Sequence, residues 1–404
     1  MGFASVDLLD DEVVQDPYPL YATLRRDAPV CALSGGGFLL TRHADVTAAL
    51  AHPALGNAPS RFSVLHESKA ARYEVARLAG NILPFQDPPT HTRNRRQLLA
   101  AYGPSAAAVS QGLSAYAEES IDALRGRRAF DLVTDFGRPF AARVMRAFLG
   151  VASQDEARWL AGSEAFFRLF APFSDPRTLN EVNAELSSFR SLVARTVETK
   201  IADEVGGFAT AMRAADADQP ADIQTIADSA ILLFADGVEN VQFAIAGIWA
   251  LLAERPDITT RFSAEPALLA EAVEEALRLH APAQSVPRIA SELIDWLGVA
   301  IKPGTPVFLS IGSANRDPGA FSNADALRVG DASAKGRALT FGAGRHSCIG
   351  GRLAADMTRV GVEALWRAGV KPSTSFSALR FLPRFGHRWP ARVPAVFSNG
   401  QVTA

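Results

Sequence analysis

The feature that most limits how this chain can fold is a long, almost uniformly apolar stretch in its middle. Residues 222–254 lie between Pro220 and Pro256 and contain no proline, so the sequence predicts one continuous helix there. At the rise of an α-helix this segment would span roughly 50 Å, enough to cross the molecule. Apolar residues occur on all sides of it, which is typical of a buried helix. We therefore expect a mainly helical protein built around this central helix.

Polar residues interrupt the centre of this helix, where Asp236, Gly237, Glu239 and Asn240 follow the apolar run 231–234. A buried carboxylate is costly unless it is paired or has a function. Two interpretations stay open. Either the acids are structural groups with partners, or they belong to an active site.

A second constrained segment is the glycine-rich run 341–351, which contains Cys348, one of two cysteines in 404 residues. The run is predicted to be a loop that leads directly into a helix. Unpaired N–H groups at a helix N-terminus favour a thiolate, and glycines let a flat ligand approach the sulfur. Arg345 and His346 add donors suited to a carboxylate. The alternatives are a buried structural cysteine and a phosphate-binding loop, although the Gly-Lys-Ser/Thr ending of the latter is absent.

The segment after a pair of prolines (residues 88–89) carries further donors. The prolines are predicted to end an extended stretch and to start a helix. His91 and Arg95 then stand four residues apart on one helix face, where two donors can hold a carboxylate. The alternative is a solvated basic face, to which we assign Arg93 and Arg96 and which could dock an acidic electron donor.

Composition excludes several classes of protein. The formal net charge of -2 argues against nucleic acid as a main partner. Two cysteines do not make a disulfide framework, which fits a reducing cytosol. Residues 1–16 lack the apolar length of a signal peptide or membrane anchor, and no linker or repeat divides the chain. We expect a single domain over residues 1–404, located in the cytoplasm, with neither nucleic acid nor membrane as a partner.

The run around Cys348 resembles the haem-binding loop of the cytochrome P-450 superfamily. The pattern of that loop, Phe-x-x-Gly-x-(Arg/His)-x-Cys-x-Gly, is matched by Phe341, Gly344, His346, Cys348 and Gly350. The resemblance implies the cytochrome P-450 fold, mainly α with a small β region, in its soluble bacterial type. It places the cofactor haem b (iron protoporphyrin IX) between the long central helix and the cysteine-bearing loop. Cys348 would be the thiolate ligand of the iron.

The resemblance also implies which residues bind the cofactor: His91, Arg95, Arg288, Phe341, Gly342, His346, Cys348 and Gly350. The histidines and arginines among them would hold the haem propionates, and the phenylalanine would pack near the sulfur. Glu275 and Arg278 match the Glu-x-x-Arg helix of the family, whose buried charge network supports the loop. A third arginine of that network is expected where Ser333 stands, and Arg328 and Arg337 are the candidates to replace it.

The centre of the long helix departs from the family pattern Ala/Gly-Gly-x-Asp/Glu-Thr. Gly237 and Glu239 match it, whereas Asp236 replaces a small residue and Asn240 replaces the threonine. The threonine helps to place a water and to deliver protons to iron-bound dioxygen, and asparagine has no hydroxyl. Our catalytic candidates are Glu239, Asn240, Asp236 and Gly237. Protons would pass through waters ordered by these side chains or through a hydroxyl of the substrate.

The implied activity is that of a monooxygenase that inserts one oxygen atom from O₂ into an apolar or aromatic small molecule, in bacterial secondary metabolism. No flavin or iron–sulfur motif occurs, so a ferredoxin and its NAD(P)H-dependent reductase would supply the electrons. The substrate is either free or tethered to a carrier protein. Two alternatives remain: an oxidase or peroxygenase on the same fold (ring formation, coupling or peroxide-driven oxidation), and a non-catalytic haem-binding protein.

Clues to the substrate are few. By resemblance, segments 56–84, 166–173 and 381–387 surround the substrate together with the central helix. The phenylalanines in these parts either line an apolar pocket or belong to the core; they are Phe166, Phe167, Phe170, Phe173 and Phe234. Arg168, Arg384 and His387 are candidates to meet a carboxylate.

Overall fold

The computed structural model describes residues 5–57, 71–170, 176–204, 206–330 and 336–398, with the backbone alone described at 169 and 170. Its helices are α1 (Asp11–Gln15), α2 (Tyr18–Asp27), α3 (His43–Ala51), α4 (Val75–Asn81), α5 (Thr90–Ser110), α6 (Leu113–Asp122), α7 (Arg138–Leu149), α8 (Glu156–Phe166), α9 (Pro176–Ala202), α10 (Phe208–Ala214), α11 (Ile223–Leu252), α12 (Pro256–Thr259), α13 (Pro266–Leu279), α14 (Ile311–Ala314) and α15 (Gly351–Arg367). Its strands are β1 (Val30–Ala32), β2 (Phe38–Leu40), β3 (Leu55–Gly56), β4 (Phe130–Asp131), β5 (Ser285–Ala290), β6 (Ile294–Trp296), β7 (Val299–Ile301), β8 (Pro306–Ser310), β9 (Val370–Pro372) and β10 (Pro394–Phe397). The predicted fold class, mainly α with a small β region, is confirmed.

Two compact units can be distinguished, and each consists of several chain segments. Unit 1 contains Met1–Leu55, Leu113–Ala141 and Asn240–Ala404, and unit 2 contains Gly56–Gly112 and Ala142–Glu239. Neither unit is therefore a contiguous stretch of sequence, and the boundaries between them include one inside α7 and one inside α11.

Helix α11 is the predicted central helix, and its ends lie within two residues of the predicted ones. Ile226, Phe234 and Ile245, which lie along its length, are 0% exposed. By length and composition alone α11 could cross a membrane, but 78% of its most apolar 18-residue window is buried inside the protein. A buried core helix passes the same test, so α11 is weak evidence for a membrane span.

The largest β-sheet has the strand order β1-β2-β8-β5-β3. β2 runs parallel to β8, and β8 pairs antiparallel with β5, so that Arg288 stands opposite Val307. Smaller sheets are formed by β4-β10-β9 and by β6-β7. The main sheet shares one hydrophobic core with Val46 of α3 and with Leu339, which lies just before the glycine-rich loop. The sheet thereby fixes the point from which that loop starts.

A buried ion pair holds unit 2 together. Arg190 on α9 donates from Nε and Nη2 to the two carboxylate oxygens of Asp228 on α11, at 2.7 and 2.8 Å. Asp228 is 0% exposed and also accepts from Asn81 Nδ2 at 2.8 Å, while Arg190 Nη1 reaches Glu74 at 2.8 Å. Burial raises the pKa of Asp228, an effect that the guanidinium opposes. This network joins both ends of α4 to α9 and α11.

Candidate active site

The predicted site residues are divided between the two units. Unit 1 holds Asn240, Arg288, Phe341, Gly342, His346, Cys348 and Gly350; unit 2 holds His91, Arg95, Asp236, Gly237 and Glu239. Each set has its own local geometry.

The glycine-rich segment 341–350, called the cysteine loop below, is a loop that leads into a helix, as predicted. The N–H of Cys348 donates to the carbonyl oxygen of Phe341 at 2.8 Å, which closes the loop on itself. α15 begins at Gly351 with Gly350 as its N-cap, so the sulfur lies just ahead of the helix rather than in its first turn. Cys348 is exposed, whereas the other cysteine, Cys31, is buried. This exposure excludes the interpretation of Cys348 as a buried structural cysteine.

Glycines in this loop are required by its backbone. Gly342 and Gly344 have φ values of 66° and 70°, a conformation that residues with a side chain rarely adopt. A Cβ at Gly344 would also lie 3.0 Å from the carbonyl oxygen of Leu50 on α3. The glycines therefore set the shape of the loop and allow it to approach α3.

Asn315 anchors the two residues directly before the cysteine loop. Its Oδ1 accepts the N–H of Leu339 at 2.7 Å, and its Nδ2 donates to the hydroxyl of Thr340 at 3.1 Å. That hydroxyl in turn donates to the carbonyl oxygen of Leu277 on α13 at 3.2 Å. Asn315 is 0% exposed, so water does not compete for these bonds. The cysteine loop is thus attached to α13.

Glu275 and Arg278 form the predicted buried pair on α13. Arg278 Nε and Nη2 donate to the two carboxylate oxygens at 2.8 and 2.6 Å, and the two side chains are only 8% and 3% exposed. The rest of the guanidinium is bound by the carbonyl oxygens of Asn315, Ala324 and Ala326. The pair therefore connects α13 to the chain that precedes the cysteine loop.

The family network includes a third arginine, and the position expected for it, Ser333, lies outside the described residues. The two candidates to replace it, Arg328 and Arg337, are both described. Arg328 donates its backbone N–H to Glu275 Oε1 at 3.2 Å. Arg337 donates from its guanidinium to the carbonyl oxygen of Ala320 at 3.1 Å. Of the two, Arg328 is the one with a direct contact to the pair.

Arg288 and His346 are further predicted cofactor residues of unit 1. Arg288 lies on β5, is 6% exposed and donates from Nη1 to the carbonyl oxygen of Pro287 at 2.7 Å. His346 ends the short 3-10 helix Gly344–His346 and is half-buried. Both offer donors of the kind that bind carboxylates.

His91 and Arg95 lie in the first turns of α5, as predicted. α5 starts at Thr90, directly after the two prolines. His91 is 2% exposed and Arg95 is half-buried, whereas Arg93 and Arg96 are exposed. The inward and outward faces of α5 therefore separate as the sequence predicted.

Asp236 lies at the centre of α11 and has no hydrogen-bond or ion-pair partner in the part of the chain that the structure describes. Its side chain is exposed, which corrects the expectation of a buried acid, yet the protein around the carboxyl group limits its hydration and raises its pKa to about 7. The interpretation as a partnered structural acid therefore gains no support for this residue. A carboxyl group that titrates near neutral pH can both donate and accept a proton there.

Glu239 has a specific partner that the sequence did not indicate. It is 4% exposed, and its Oε1 accepts a hydrogen bond from the hydroxyl of Ser163 on α8 at 2.8 Å. The two residues are 76 positions apart, and a single serine in a helix carries no signal of such a contact.

Gly237 and Asn240 complete the centre of α11. A Cβ at Gly237 would lie 2.6 Å from Met145 Sδ, so the glycine permits close packing at this point. Asn240 is half-buried, and no described residue donates to its buried Oδ1. A buried amide oxygen needs a donor, which a water or a bound group can supply.

The phenylalanines proposed for the substrate pocket are mostly core residues. Phe166 and Phe234 are 0% exposed and Phe167 is 7% exposed, which favours the core interpretation for these three. Phe173, the side chain of Phe170 and the segments 58–70 and 171–175 lie outside what the structure describes.

The cations proposed to meet a substrate carboxylate differ in their surroundings. Arg168 forms an ion pair with Glu185. Burial lowers the pKa of His387 to about 4, so this imidazole is neutral at neutral pH and does not attract a carboxylate by charge. Arg384 is half-buried and is the remaining candidate of the three.

The donor set fits haem better than a metal ion held by protein alone. Among the described residues, no group of three or more histidine, cysteine, aspartate or glutamate side chains is placed to hold a metal ion. Haem iron needs few ligands from the protein, because the porphyrin supplies most of them, and an exposed thiol such as Cys348 can be one. Imidazole and guanidinium groups such as His91, Arg95 and Arg288 suit the propionates.

Comparison with known proteins defines the class. A family model described as cytochrome P450 matches residues 166–367, half of the chain, including Glu239, the Glu275–Arg278 pair and Cys348. Cytochrome P450-SU2 of Streptomyces griseolus is 32% identical over 359 residues, which cover 87% of this chain and 86% of the relative. The chain therefore belongs to the cytochrome P450 family. It is an oxidoreductase of the monooxygenase class, with haem b as its cofactor.

Two further similarities extend over nearly the whole chain. The biotin biosynthesis cytochrome P450 of Bacillus subtilis (strain 168) is 26% identical over 400 residues, covering 96% of this chain and 97% of the relative. A crystal structure of P450BioI in complex with hexadec-9Z-enoic acid ligated acyl carrier protein matches with a TM-score of 0.86 at 24% identity. The match covers 96% of this chain and 99% of that one. The predicted cytochrome P-450 fold is confirmed.

Proposed function

We propose that this protein is a haem-thiolate monooxygenase of bacterial secondary metabolism that inserts one oxygen atom from O₂ into an apolar or aromatic small molecule. The observation that carries the proposal is the exposed Cys348 on a loop that its own hydrogen bond to Phe341 closes and that Asn315 ties to α13. Such a loop presents the sulfur in one fixed position. Both units would form one cytochrome P450 domain, since the relatives match over most of the chain.

Each predicted cofactor residue has a role in this proposal. When bound, haem supplies a thiolate-ligated iron that activates dioxygen. Cys348 would be its protein ligand, with Phe341, Gly342 and Gly350 shaping the loop around the sulfur. The propionates would accept charge-assisted hydrogen bonds from four side chains: His91, Arg95, Arg288 and His346.

Proton delivery would be the task of α11. Asp236 and Glu239 are three positions apart and therefore lie on one face of the helix. Gly237 between them keeps the helix slim. Asn240 can order water with its amide, which both donates and accepts hydrogen bonds, although it has no hydroxyl that could itself relay a proton.

The electrons would come from a ferredoxin and its NAD(P)H-dependent reductase, and the enzyme would act in the cytoplasm. Support for this is the use of separate redox partners by bacterial relatives. The similarity to a structure that contains acyl carrier protein supports a carrier-tethered substrate as one option, beside a free small molecule. Titration of the haem spin state with hexadec-9Z-enoic acid, free and as its carrier thioester, distinguishes the two.

A second candidate function is peroxide-driven oxidation on the same fold. It is favoured by Asn240, which replaces the threonine of the family pattern and has no hydroxyl that could relay a proton. Turnover with hydrogen peroxide and no reductase, at a rate equal to or above that with NADPH and a ferredoxin, would select this function.

The test of haem-thiolate binding is the absorption spectrum of the purified, reduced protein under carbon monoxide. A strongly red-shifted Soret band is expected, because the thiolate donates electron density to the iron. A band at the ordinary haem position would mean that the thiolate is protonated or displaced. Well-folded protein without a haem band would refute the proposal.

The Asn240→Ala variant is expected to form about fivefold less product per NADPH consumed, the effect of losing one hydrogen bond that orders water. Product and NADPH are measured together, with a substrate selected by its spin-state shift. Asn240→Thr, which restores the residue of the family pattern, serves as the control and should keep the ratio at least as high as the wild type. An unchanged ratio in Asn240→Ala would remove this residue from proton delivery.

Asp236 is expected to make the protein less stable as pH rises from about 4 to 7. Its pKa is raised by burial to about 7 from an ordinary 3.8, so the folded state binds more protons than the unfolded state within that window. Below pH 4 this group does not reduce the free energy of unfolding. The free energy of unfolding then falls as pH rises, until the carboxyl group is fully ionised above pH 7. The melting temperature of Asp236→Asn relative to wild type should therefore increase between pH 5 and pH 8. A constant difference over this range would contradict the raised pKa.

A further inference from the structure

Ser163 of helix α8 contacts Glu239, one of the acidic residues of α11. The Ser163 hydroxyl donates to Glu239 Oε1 at 2.8 Å, and the two residues are 0% and 4% exposed. A hydrogen bond from a hydroxyl to a carboxylate is stronger than one between neutral groups, and it favours the ionised form of the acid. In a site closed to bulk water, this bond is not exchanged for one to solvent.

Packing fixes the position of Ser163 independently of this bond. A Cβ at the preceding residue, Gly162, would lie 2.2 Å from the ring of Phe189, so α8 lies directly against α9 at this point. One turn earlier, Trp159 packs edge-on to both Phe189 and Phe234, with ring centroids 5.4 and 5.0 Å apart. α8 is thus held between α9 and α11. The packing of α8 therefore holds Ser163 at the point where its hydroxyl can orient the Glu239 carboxylate.

The burial of Ser163 also decides which role it can have. A proton that passes to Glu239 has to come from water, and a 0% exposed serine is not in contact with bulk solvent. Ser163 is therefore suited to orient the carboxylate and not to relay protons to it.

We propose that Ser163 is a positioning residue of the oxygenation reaction, which holds the Glu239 carboxylate in one orientation and in its ionised form. The proposal rests on the role of Glu239 in proton delivery proposed above. Helix α8 would thus take part in the reaction through one side chain, that of Ser163.

The first test is infrared spectroscopy of the holoenzyme as a function of pH. The carboxyl band of Glu239 is identified as the one that disappears in Glu239→Gln. In Ser163→Ala the pH midpoint of this band is expected to move upward by about one unit or more, because a donor to the carboxylate is lost. Band behaviour that is the same in wild type and Ser163→Ala overturns the proposal.

The second test measures oxygen reduction with NADPH, a surrogate ferredoxin and its reductase, without an organic substrate. Two electrons and two protons convert O₂ to hydrogen peroxide, whereas four of each convert it to water, so poor proton delivery raises the peroxide fraction. Ser163→Ala and Glu239→Gln should both raise it, and the double variant should not exceed Glu239→Gln alone. Additive effects in the double variant overturn the proposal, because Ser163 would then not act through Glu239.

These results separate the two proposals. If Glu239→Gln leaves the peroxide fraction unchanged, the proton-delivery role of Glu239 fails, while the infrared midpoint still decides whether Ser163 positions the acid. If Glu239→Gln raises the fraction and Ser163→Ala changes neither readout, only the positioning role fails. Ser120→Ala is the matched control, because Ser120 is 1% exposed and its hydroxyl donates to the carbonyl oxygen of Tyr116 in its own helix. It should leave both readouts at wild-type values.

Discussion

Replacing Cys348 by serine is expected to remove the red-shifted Soret band of the reduced carbon monoxide complex and to lower turnover more than about 100-fold. A serine hydroxyl stays protonated at neutral pH and is a far weaker iron ligand than a thiolate. Changes to groups that merely support a metal ligand already cost about 10–100-fold, so loss of the ligand itself should cost more. The spectrum and the product formed per haem are measured on the same preparation.

Cys31→Ala is the matched control for this substitution. Cys31 is 3% exposed in a core cluster of unit 1, on strand β1. Its loss should leave the red-shifted band in place. A red-shifted band that survives in Cys348→Ser would assign the thiolate elsewhere, and its loss in Cys31→Ala would point to the same conclusion.

Replacing Arg278 by alanine is expected to lower the free energy of unfolding by about 3–5 kcal/mol, the usual cost of removing one partner of a buried ion pair. Glu275 would be left as a buried charge without its bidentate partner, and three carbonyl oxygens would lose a donor. Because the same segment carries the cysteine loop, the variant should also retain less haem. Urea unfolding and the haem-to-protein ratio measure the two effects.

The control is Arg261→Ala, which removes a bidentate arginine–glutamate pair of the same chemistry from the surface. Arg261 and Glu265 are about half exposed, so water replaces the lost contact and little change is expected. If Arg278→Ala unfolds at the same urea concentration as Arg261→Ala, the buried network does not carry the stability assigned to it.

Local pattern was enough to predict the helices that carry the site. The uniform apolarity of residues 222–254 predicted α11, and the prolines before His91 predicted the start of α5. Glycines predicted the loop around Cys348, because the positive φ values at Gly342 and Gly344 demand them. The Glu275–Arg278 spacing indicated a pair, but that pattern is common on exposed helices. Its burial became an expectation only through the resemblance to the family.

Contacts between helices that are distant in the chain could not be predicted from the sequence. Ser163 meets Glu239 because α8 lies between α9 and α11, and nothing in the sequence near either residue encodes that arrangement. The Arg190–Asp228 pair could not be predicted for the same reason. In the sequence of a long amphipathic helix, nothing distinguishes a buried arginine from an exposed one. The apolar character of Phe166 and Phe234 fits a pocket wall and a core equally well, and only their exposure of 0% decides for the core.

The contacts of Arg278 and Asn315 set an order of events during folding. Arg278 binds carbonyl oxygens 37, 46 and 48 positions further along the chain, and Asn315 binds residues 24 and 25 positions further along. Closing such long loops costs entropy before the contacts compensate for it. The hydrogen bond from Thr340 to Leu277, which attaches the cysteine loop to α13, closes a still longer loop of 63 positions. We therefore expect the cysteine loop to form late, after the segment from Asn315 to Ala326 has closed on α13. Haem would then be taken up by a nearly complete protein, so cells short of haem should accumulate folded apoprotein rather than aggregated chain.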